Sequence, residues 1–356
     1  MATIAHTRPF VIGVDTHARS HSYAILTAAT GELIATKEFP TTPAGLKRAL
    51  DWVASLTDGD LATLWVIEGA ATYGARLART ATDAGYEVAE AARMDARAHH
   101  RIGKSDPLDA HRIGAAVLPL QTDRLRHPRS DEGVRPALRV LVTARDHMST
   151  ERTAYINALT ALLRTADLGF DARKPLTTSQ IAEVAAWRTR AEDIALSVAR
   201  AEAIRLAKRI HALDVGLTEN RSQLTNLLQQ SKAAALLDQP GIGPVTAAVA
   251  YAAWSHHGRL RDEAAFAALA GVSPIPASSG NTTRHRLNRG GDRRLNRALH
   301  MATVALMAHN PETRAYVAKR RAEGLTNKEI RRCLKRYLAR RIYRALENSH
   351  RIPLVA

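Results

Sequence analysis

"FVIGVDTHARSHSYAILTAATGELIATKEF", residues 10–39, holds three short apolar runs, and the way they connect decides the fold. "FVIGVD" (10–15) ends in an acid; "HSYAILTA" (21–28) and "LIATKEF" (33–39) follow, with Gly31 as a turn between them. Apolar runs of this length, bounded by turn residues, read as strands, and connections this short make them a meander. The pattern then changes. "TPAGLKRALDWVASL" (42–56) spaces its apolar residues as a helix does, behind a Thr-Pro start signal. "ATLWVIEG" (62–69) is a fourth buried strand, again ending in an acid, "TYGARLARTATDAG" (72–85) a second helix closing at Gly85, and "YEVAEA" (86–91) a fifth strand. Three strands in a meander, then helix, strand, helix, strand, predict an α/β sandwich with a mixed sheet.

From about residue 134 the strand signals stop. "LRVLVTARDHMSTERTAYINALTALLRTADL" (138–168) is apolar at helical spacing over several turns, and residues 178–231 continue likewise after a Pro/Thr break near 175–178. Two arrangements fit such long, partly antiparallel helices: a coiled-coil arm or a compact helical bundle. A third region opens near 233, where "LLDQPGIGPVTAAVAYAAW" (236–254) sets Gly241 and Gly243 in a tight turn between apolar segments. Such a turn is either the bend of a helix-hairpin-helix, whose amides can hold a phosphate, or a plain glycine-rich turn. The chain thus divides into an α/β domain over 1–133, a helical arm over 134–232 and a helical C-terminal domain over 233–356.

Composition narrows the partners. The 356 residues include 51 Lys and Arg against 34 Asp and Glu, a formal charge of +17, which points to a polyanion such as nucleic acid. Aromatics make up only 4% of the chain, too few for a stacking platform on single strands, so contacts to phosphates and duplex shape fit better. One cysteine, Cys333, excludes a disulfide framework or a cysteine-type zinc site within one chain and is compatible with a reducing cytoplasm. The N-terminal stretch lacks the pattern of a secretory signal, and no apolar run is long enough to span a bilayer.

Four acids stand out in this basic chain. Asp15 closes the first strand and Glu68 the fourth; in a sheet of this connectivity these strands are neighbours, so both carboxylates emerge at one edge. "GKSDPLDAHRIG" (103–114) adds Asp106 and Asp109, three apart on one helix face. Read alone, Asp106, Pro107 and Asp109 make an ordinary helix start. Read with Asp15 and Glu68, they complete a cluster of hard oxygen donors suited to Mg2+ or Mn2+, which could clamp the attacking and leaving oxygens of a phosphodiester. His17, His21, His99, His100 and His111 are weaker ligand candidates, read as solvated or as phosphate contacts.

A second informative stretch is "AGVSPIPASSGNTTRHRLNRGGDRRLNRALH" (270–300), where Ser278 and Ser279 precede Arg284, Arg286, Arg289, Arg293, Arg294 and Arg297. A serine-rich turn before a DNA-binding helix explains it, and so does a serine activated toward DNA by arginines or metal. No G-x-S-x-G elbow is present, which argues against a hydrolase triad. Residues 317–344 hold eleven Lys or Arg and two acids; Ile330, Leu334, Leu338 and Ile342 form an apolar stripe, and Arg336, Arg340 and Arg344 lie on the basic face around it, which reads either as a phosphate-contacting face or as a solvated one.

The order Asp15, Glu68, "SDPLDAHR", "PGIGPVTA" and "GVSPIPASSGNTTRHRLNRGGDRRLNRAL" resembles insertion-sequence family one-ten, the DEDD transposases recognised as bridge-RNA-guided recombinases. The resemblance covers nearly the whole chain. It implies an RNase H-like (RuvC-like) N-terminal domain, with Asp15, Glu68, Asp106 and Asp109 as Mg2+ ligands, and a C-terminal transposase domain with an essential serine. The family's serine directly precedes a glycine, matching Ser279 before Gly280, with Ser278 adjacent. It further implies a serine–DNA link, a homo-oligomer (dimer or tetramer) with composite centres, donor and target duplex DNA as substrates, a structured noncoding guide RNA, and a bacterial, nucleoid-associated location. Base pairing by such an RNA would agree with the scarcity of aromatics. Two rivals use fewer of these residues: a RuvC-type junction endonuclease needs the acids and water but no serine, and an architectural DNA-binding protein needs neither.

Overall fold

The computed structural model describes residues 2–91, 105–130, 133–277, 285–286, 288 and 290–350, and the chain forms two compact units, Met1–Ser130 and Asp131–Ala356.

The first unit opens with a single turn of helix, α1 (Ile4–Thr7), and then lays down β1 (Phe10–Thr16), β2 (Ser20–Thr27) and β3 (Leu33–Pro40) as an antiparallel meander. After α2 (Pro43–Leu56), β4 (Leu64–Ile67) pairs parallel to β1; after α3 (Ala75–Asp83), β5 (Glu87–Glu90) pairs parallel to β4. The resulting order is β3-β2-β1-β4-β5, the mixed sheet that the alternation predicts and one consistent with an RNase H-like domain. Local chemistry sets the boundaries. The Thr42 hydroxyl accepts the Gly45 N–H at 3.1 Å with Pro43 in the first turn, which caps α2.

Helices cover both faces of this sheet. On one, Leu46, Ala49 and Val53 of α2 and Leu77 and Ala81 of α3 pack with Ile12, Val14, Trp65 and Ile67. On the other lies α4 (Asp106–Ala115), whose Ile113 packs with Val11, Leu64 and Val66. All four residues of β4 and the central five of β1 are buried, as strands covered on both sides must be. α4 crosses β1 in close contact because both surfaces lack side chains at the crossing. A Cβ on Gly13 would lie 2.0 Å from the Ala110 carbonyl oxygen and 2.5 Å from the Gly114 nitrogen.

Among the described residues the second unit is helical apart from one two-residue ladder. α5 (Arg135–Thr165) and α7 (Ile194–Gln229) run antiparallel: Asn220 on α7 donates to Leu141 O near the start of α5 at 3.0 Å, while Arg152, further along α5, pairs with the earlier Asp214 of α7 at 2.5 Å. At one end of this pair Leu159, Leu163, Leu206 and Ile210 form a separate core with α6 (Thr178–Ala185). At the other, Leu138, Val142, Leu224 and Leu228 join the main core with α8 (Pro244–Trp254), α9 (Glu263–Leu269), α10 (Arg293–His309) and α12 (Asn327–His350). α11 (Pro311–Ala322) precedes α12, and β6 (Ile275–Pro276) pairs antiparallel with β7 (His285–Arg286).

Two local expectations change. The helical pattern after the Pro/Thr break is interrupted between Ala185 and Ile194. There Asp193 caps α7, accepting from Ala195 N and Leu196 N, and Trp187 turns to lie 5.0 Å from the Arg200 guanidinium. The turn at Gly241 has a full helix, α8, only after it; before it stands a single 3-10 turn, Ala234–Leu236. Among the described residues no helix is long and apolar enough to cross a membrane.

Candidate metal centre and serine segment

The parallel register of β1 and β4 sets Val14 opposite Ile67, so the residues that follow, Asp15 and Glu68, stand side by side where the strands end. Two bonds fix them there: Glu68 N–H donates to Val14 O at 3.0 Å, and the Thr16 hydroxyl donates to Glu68 O at 2.8 Å. Asp15 is buried, and its carboxyl lies close enough to Glu68 to act on it. Burial, then the neighbouring Asp15 carboxyl and the charge of Asp109, push the Glu68 carboxyl above the usual carboxylate range, only partly offset by His17. α4, seated on Gly13, brings its first turn to the same place. Asp109 accepts from Arg112 at 3.0 Å, and Asp106 lies 3.5 Å from His17 Nε2, which is itself 3.2 Å from Asp15 Oδ2. Donor atoms of Asp15, His17 and Asp106 all fall within 4.8 Å of one another. The structure thus brings Asp15 and Asp106 into one cluster of donor atoms with His17, a member the sequence ranks low, and sets Glu68 and Asp109 beside it, outside that cluster.

That member, His17, had a signal: in extended chain, residues i and i+2 share a face, so the imidazole of "DTH" falls on the Asp15 side. His21 reads differently. It is buried on β2, its Nδ1 is 3.1 Å from Ser20 O, and burial holds its imidazole below the ordinary histidine range. It is a core histidine. His111 is half-buried on α4, and His99 and His100 lie outside the described residues.

The cluster suits a hard divalent cation on its own chemistry. Carboxylate oxygens dominate the donor set, and burial together with the charges of Asp15 and Asp109 pushes the Glu68 carboxyl up, a crowding that a divalent cation would relieve.

In the second unit Ser278, Ser279, Arg284 and Arg289 lie outside the described residues. The strands that bracket the serines, β6 and β7, pair Ile275 with Arg286 and Pro276 with His285. Arg286 and Arg293 are exposed. The remaining arginine candidates are committed within the fold. Arg294 donates to Asp146 at 2.7 Å and to Thr143 at 3.2 Å, and Arg297 joins the same aspartate at 2.6 Å. Arg336, Arg340 and Arg344 converge on Glu263 of α9 at 3.5, 2.9 and 3.5 Å, so a single carboxylate is shared by the face expected to be free for phosphates. Gly241 is a packing position: a Cβ there would lie 2.4 Å from Leu306 Cγ. Gly243 has open space around it at the cap of α8.

A mixed sheet with Asp15 and Glu68 at neighbouring strand ends and Asp106 and Asp109 on the helix beside them, followed in the chain by an arginine-rich helical unit, has the architecture of a DEDD-type transposase, an enzyme acting on DNA. A family model for DEDD transposases of the IS110 type matches residues 12–166, and the model described as Transposase IS116/IS110/IS902 family matches residues 233–318. The chain belongs to this family of insertion-sequence transposases. It is 26% identical to the insertion element IS900 uncharacterized 42 kDa protein of Mycobacterium paratuberculosis, over 89% of this chain and 90% of that one. It is also 26% identical to the insertion element IS110 uncharacterized 43.6 kDa protein of Streptomyces coelicolor, over 89% and 88% of the two chains. A shorter match, 31% identical over 34% of this chain and 31% of the other, is to the insertion element IS116 uncharacterized 44.8 kDa protein of Streptomyces clavuligerus.

Proposed function

We propose that this transposase cuts and rejoins DNA through a serine–phosphodiester intermediate, with Asp15, Glu68, Asp106 and Asp109 holding Mg2+ or Mn2+ and Ser279 as nucleophile. The observation that carries the reading is the Asp15–Glu68 pair: two carboxyls stand side by side where the parallel strands β1 and β4 end, with the first turn of α4 and its Asp106 and Asp109 beside them. A bound divalent ion would supply Lewis acidity and neutralise charge on the phosphoryl oxygens. His17 lies between Asp15 and Asp106 and orients both.

In the serine step the Ser279 Oγ–P bond forms as the P–O bond to the leaving strand breaks. The hydroxyl proton passes to the departing oxygen. The number of phosphoester bonds is unchanged, so rejoining needs no external energy source. The guanidinium groups downstream of Ser279, Arg284, Arg286 and Arg289 among them, would steady the phosphate. In this reading residues 1–133 form the nuclease domain, 134–232 a coiled-coil arm and 233–356 the serine-bearing domain. Donor and target duplexes are selected by a structured noncoding RNA, and copies of the chain assemble into a dimer or tetramer in which acids and serine meet.

The test is a labelled duplex carrying the element's end, incubated with the protein, Mg2+ and RNA transcribed from the element's flank, then denatured. Label stays on the protein in this reading, vanishes in Ser279→Ala and survives in Ser278→Ala. Cleavage without an adduct would return the chain to a water-using endonuclease. Full recombination by Asp15→Asn would remove the metal assignment.

A further inference from the structure

The first turn after α9 and the N-terminal half of α12 wall a cavity of about 710 Å3. Its lining is cationic at Arg286, Arg332, Lys335 and Arg336, and it includes Val272, Pro274 and the exposed Tyr337. Among the described residues no salt bridge joins Lys335 to a carboxylate, and the acid that acts on Arg332 is Glu329. Glu329 is the acid on the wall, and it is occupied at the start of α12, accepting from Thr326 N at 2.8 Å and the Thr326 hydroxyl at 2.6 Å.

The cavity stands at the root of the serine-bearing segment. Lys335 Nζ donates to Asn296 Oδ1 at 2.8 Å, and Asn296 Nδ2 donates to Ala270 O at 2.7 Å, where the chain leaves α9. At the returning end Asp292 N–H donates to Leu269 O at 2.6 Å, and a Cβ on Gly291 would lie 2.4 Å from that same oxygen. Entry and exit of the segment are therefore clamped together beside Lys335. Burial, then the charge of Arg331, holds the Lys335 ammonium below the ordinary lysine range, so it has lost hydration without gaining an anion.

We infer that this cavity receives one nucleotide of a DNA strand, its phosphate against Lys335, Arg332 and Arg286 and its base against Tyr337. A bare phosphate needs only the cations; the volume and the apolar lining with an aromatic ring match a whole nucleotide unit. Tyr337 is held edge-on by Tyr316 at 6.2 Å between ring centroids. The inference rests on the proposed reading in taking DNA as substrate, and it adds a contact that serves strand placement rather than bond breaking.

The experiment uses the full chain in EDTA, where binding is read without cleavage. Fluorescence anisotropy follows a labelled DNA strand, a duplex and an RNA strand of the same sequence over a range of salt. Arg332→Ala and Lys335→Ala each lower the salt slope by about one and weaken DNA binding by roughly tenfold at moderate salt. Tyr337→Ala weakens it by roughly tenfold too, and Tyr337→Phe restores it. Arg188→Ala, exposed in the second unit far along the chain, leaves it unchanged. Strands carrying 5-iododeoxyuridine crosslink on irradiation to the peptide that contains Tyr337.

Unchanged affinity in all three cavity variants, with cleavage in Mg2+ still lost in Asp15→Asn, overturns the cavity and leaves the proposed function standing. Loss in Lys335→Ala with no loss in Tyr337→Ala, together with competition by inorganic phosphate, reduces the site to an anion pocket and overturns the nucleotide. A Tyr337 effect seen only with the RNA strand overturns DNA as the occupant. A protein that binds no DNA removes both readings at once.

Discussion

Gly13 of β1 and Gly114 of α4 meet with backbone against backbone: a Cβ on Gly114 would lie 3.2 Å from Gly13 N, and one on Gly13 2.5 Å from Gly114 N. This contact sets how closely α4, and with it Asp106 and Asp109, approaches the ends of β1 and β4.

Gly13→Ala therefore pushes α4 outward. The expected loss is about 1–3 kcal/mol of stability from overpacking, read as a lower urea midpoint. DNA cleavage should fall further than the unfolded fraction explains, because the acids of α4 move away from Asp15. Wild-type cleavage in a folded Gly13→Ala protein would show that the four acids do not act together.

Metal addition gives a second outcome. An ion that binds only the folded site stabilises it by about 2.7 kcal/mol at a hundred times its dissociation constant. Mg2+ or Mn2+ should raise the thermal midpoint of the unmodified chain and leave that of Asp15→Asn where it was. Without metal, Glu68→Gln should raise the midpoint, because it removes one of the crowded charges beside Asp15 and Asp109.

Glu263 is the shared counter-charge of Arg336, Arg340 and Arg344. Glu263→Gln leaves three guanidinium groups facing one another. The cost should be about 1–2 kcal/mol, discounted because the pairs are partly exposed. Affinity for duplex DNA should rise at low salt as that positive charge becomes available. A drop in both midpoint and affinity would mean that the face contributes nothing to nucleic-acid contact.

The tip of the helical pair carries a pH signature. The Arg200 guanidinium is buried and hydrogen-bonded to Glu192, which holds that carboxyl below the usual glutamate range. A carboxyl lowered in the folded state stabilises it above the unfolded-state pKa and loses that contribution as pH falls through the folded-state value. Glu192→Gln should therefore lower the urea midpoint at neutral pH, and the gap to wild type should close in acid. A gap that stays constant down to pH 3 would exclude the ion pair as its source.

The sheet and the placement of Asp15 and Glu68 at neighbouring strand ends were legible because they depend on chain-local signals. Apolar runs end in Asp15 and Glu68, parallel neighbours place those ends together, and Ser105-Asp106-Pro107 opens a helix where the third and fourth acids must stand. Features fixed by distant partners were not. The gap after Ala185 follows from Trp187 meeting Arg200, and "AAWRTR" has no breaker of its own. Gly241 is small because Leu306 presses on it, sixty-five positions away in the chain. The basic face of α12 looked free because nothing near it in sequence announces Glu263. Lys335 was one cation among many until Asn296 tied it to the turn at Ala270.

The pairing of α5 and α7 has mechanical meaning. Apolar packing is concentrated at its two ends, in the cores around Leu159 and around Leu224, and between them run polar links: Arg152 with Asp214, Arg209 with Glu151, Asn220 with the Leu141 carbonyl and Arg145. Such links reform after water enters, whereas an opened apolar core must be dried again. The pair therefore behaves as a lever, stiff at both grips and compliant in its shaft. Amide hydrogens near Arg152 and Asp214 should exchange sooner than those near either end, and a load applied at the tip bends the middle before it loosens the base.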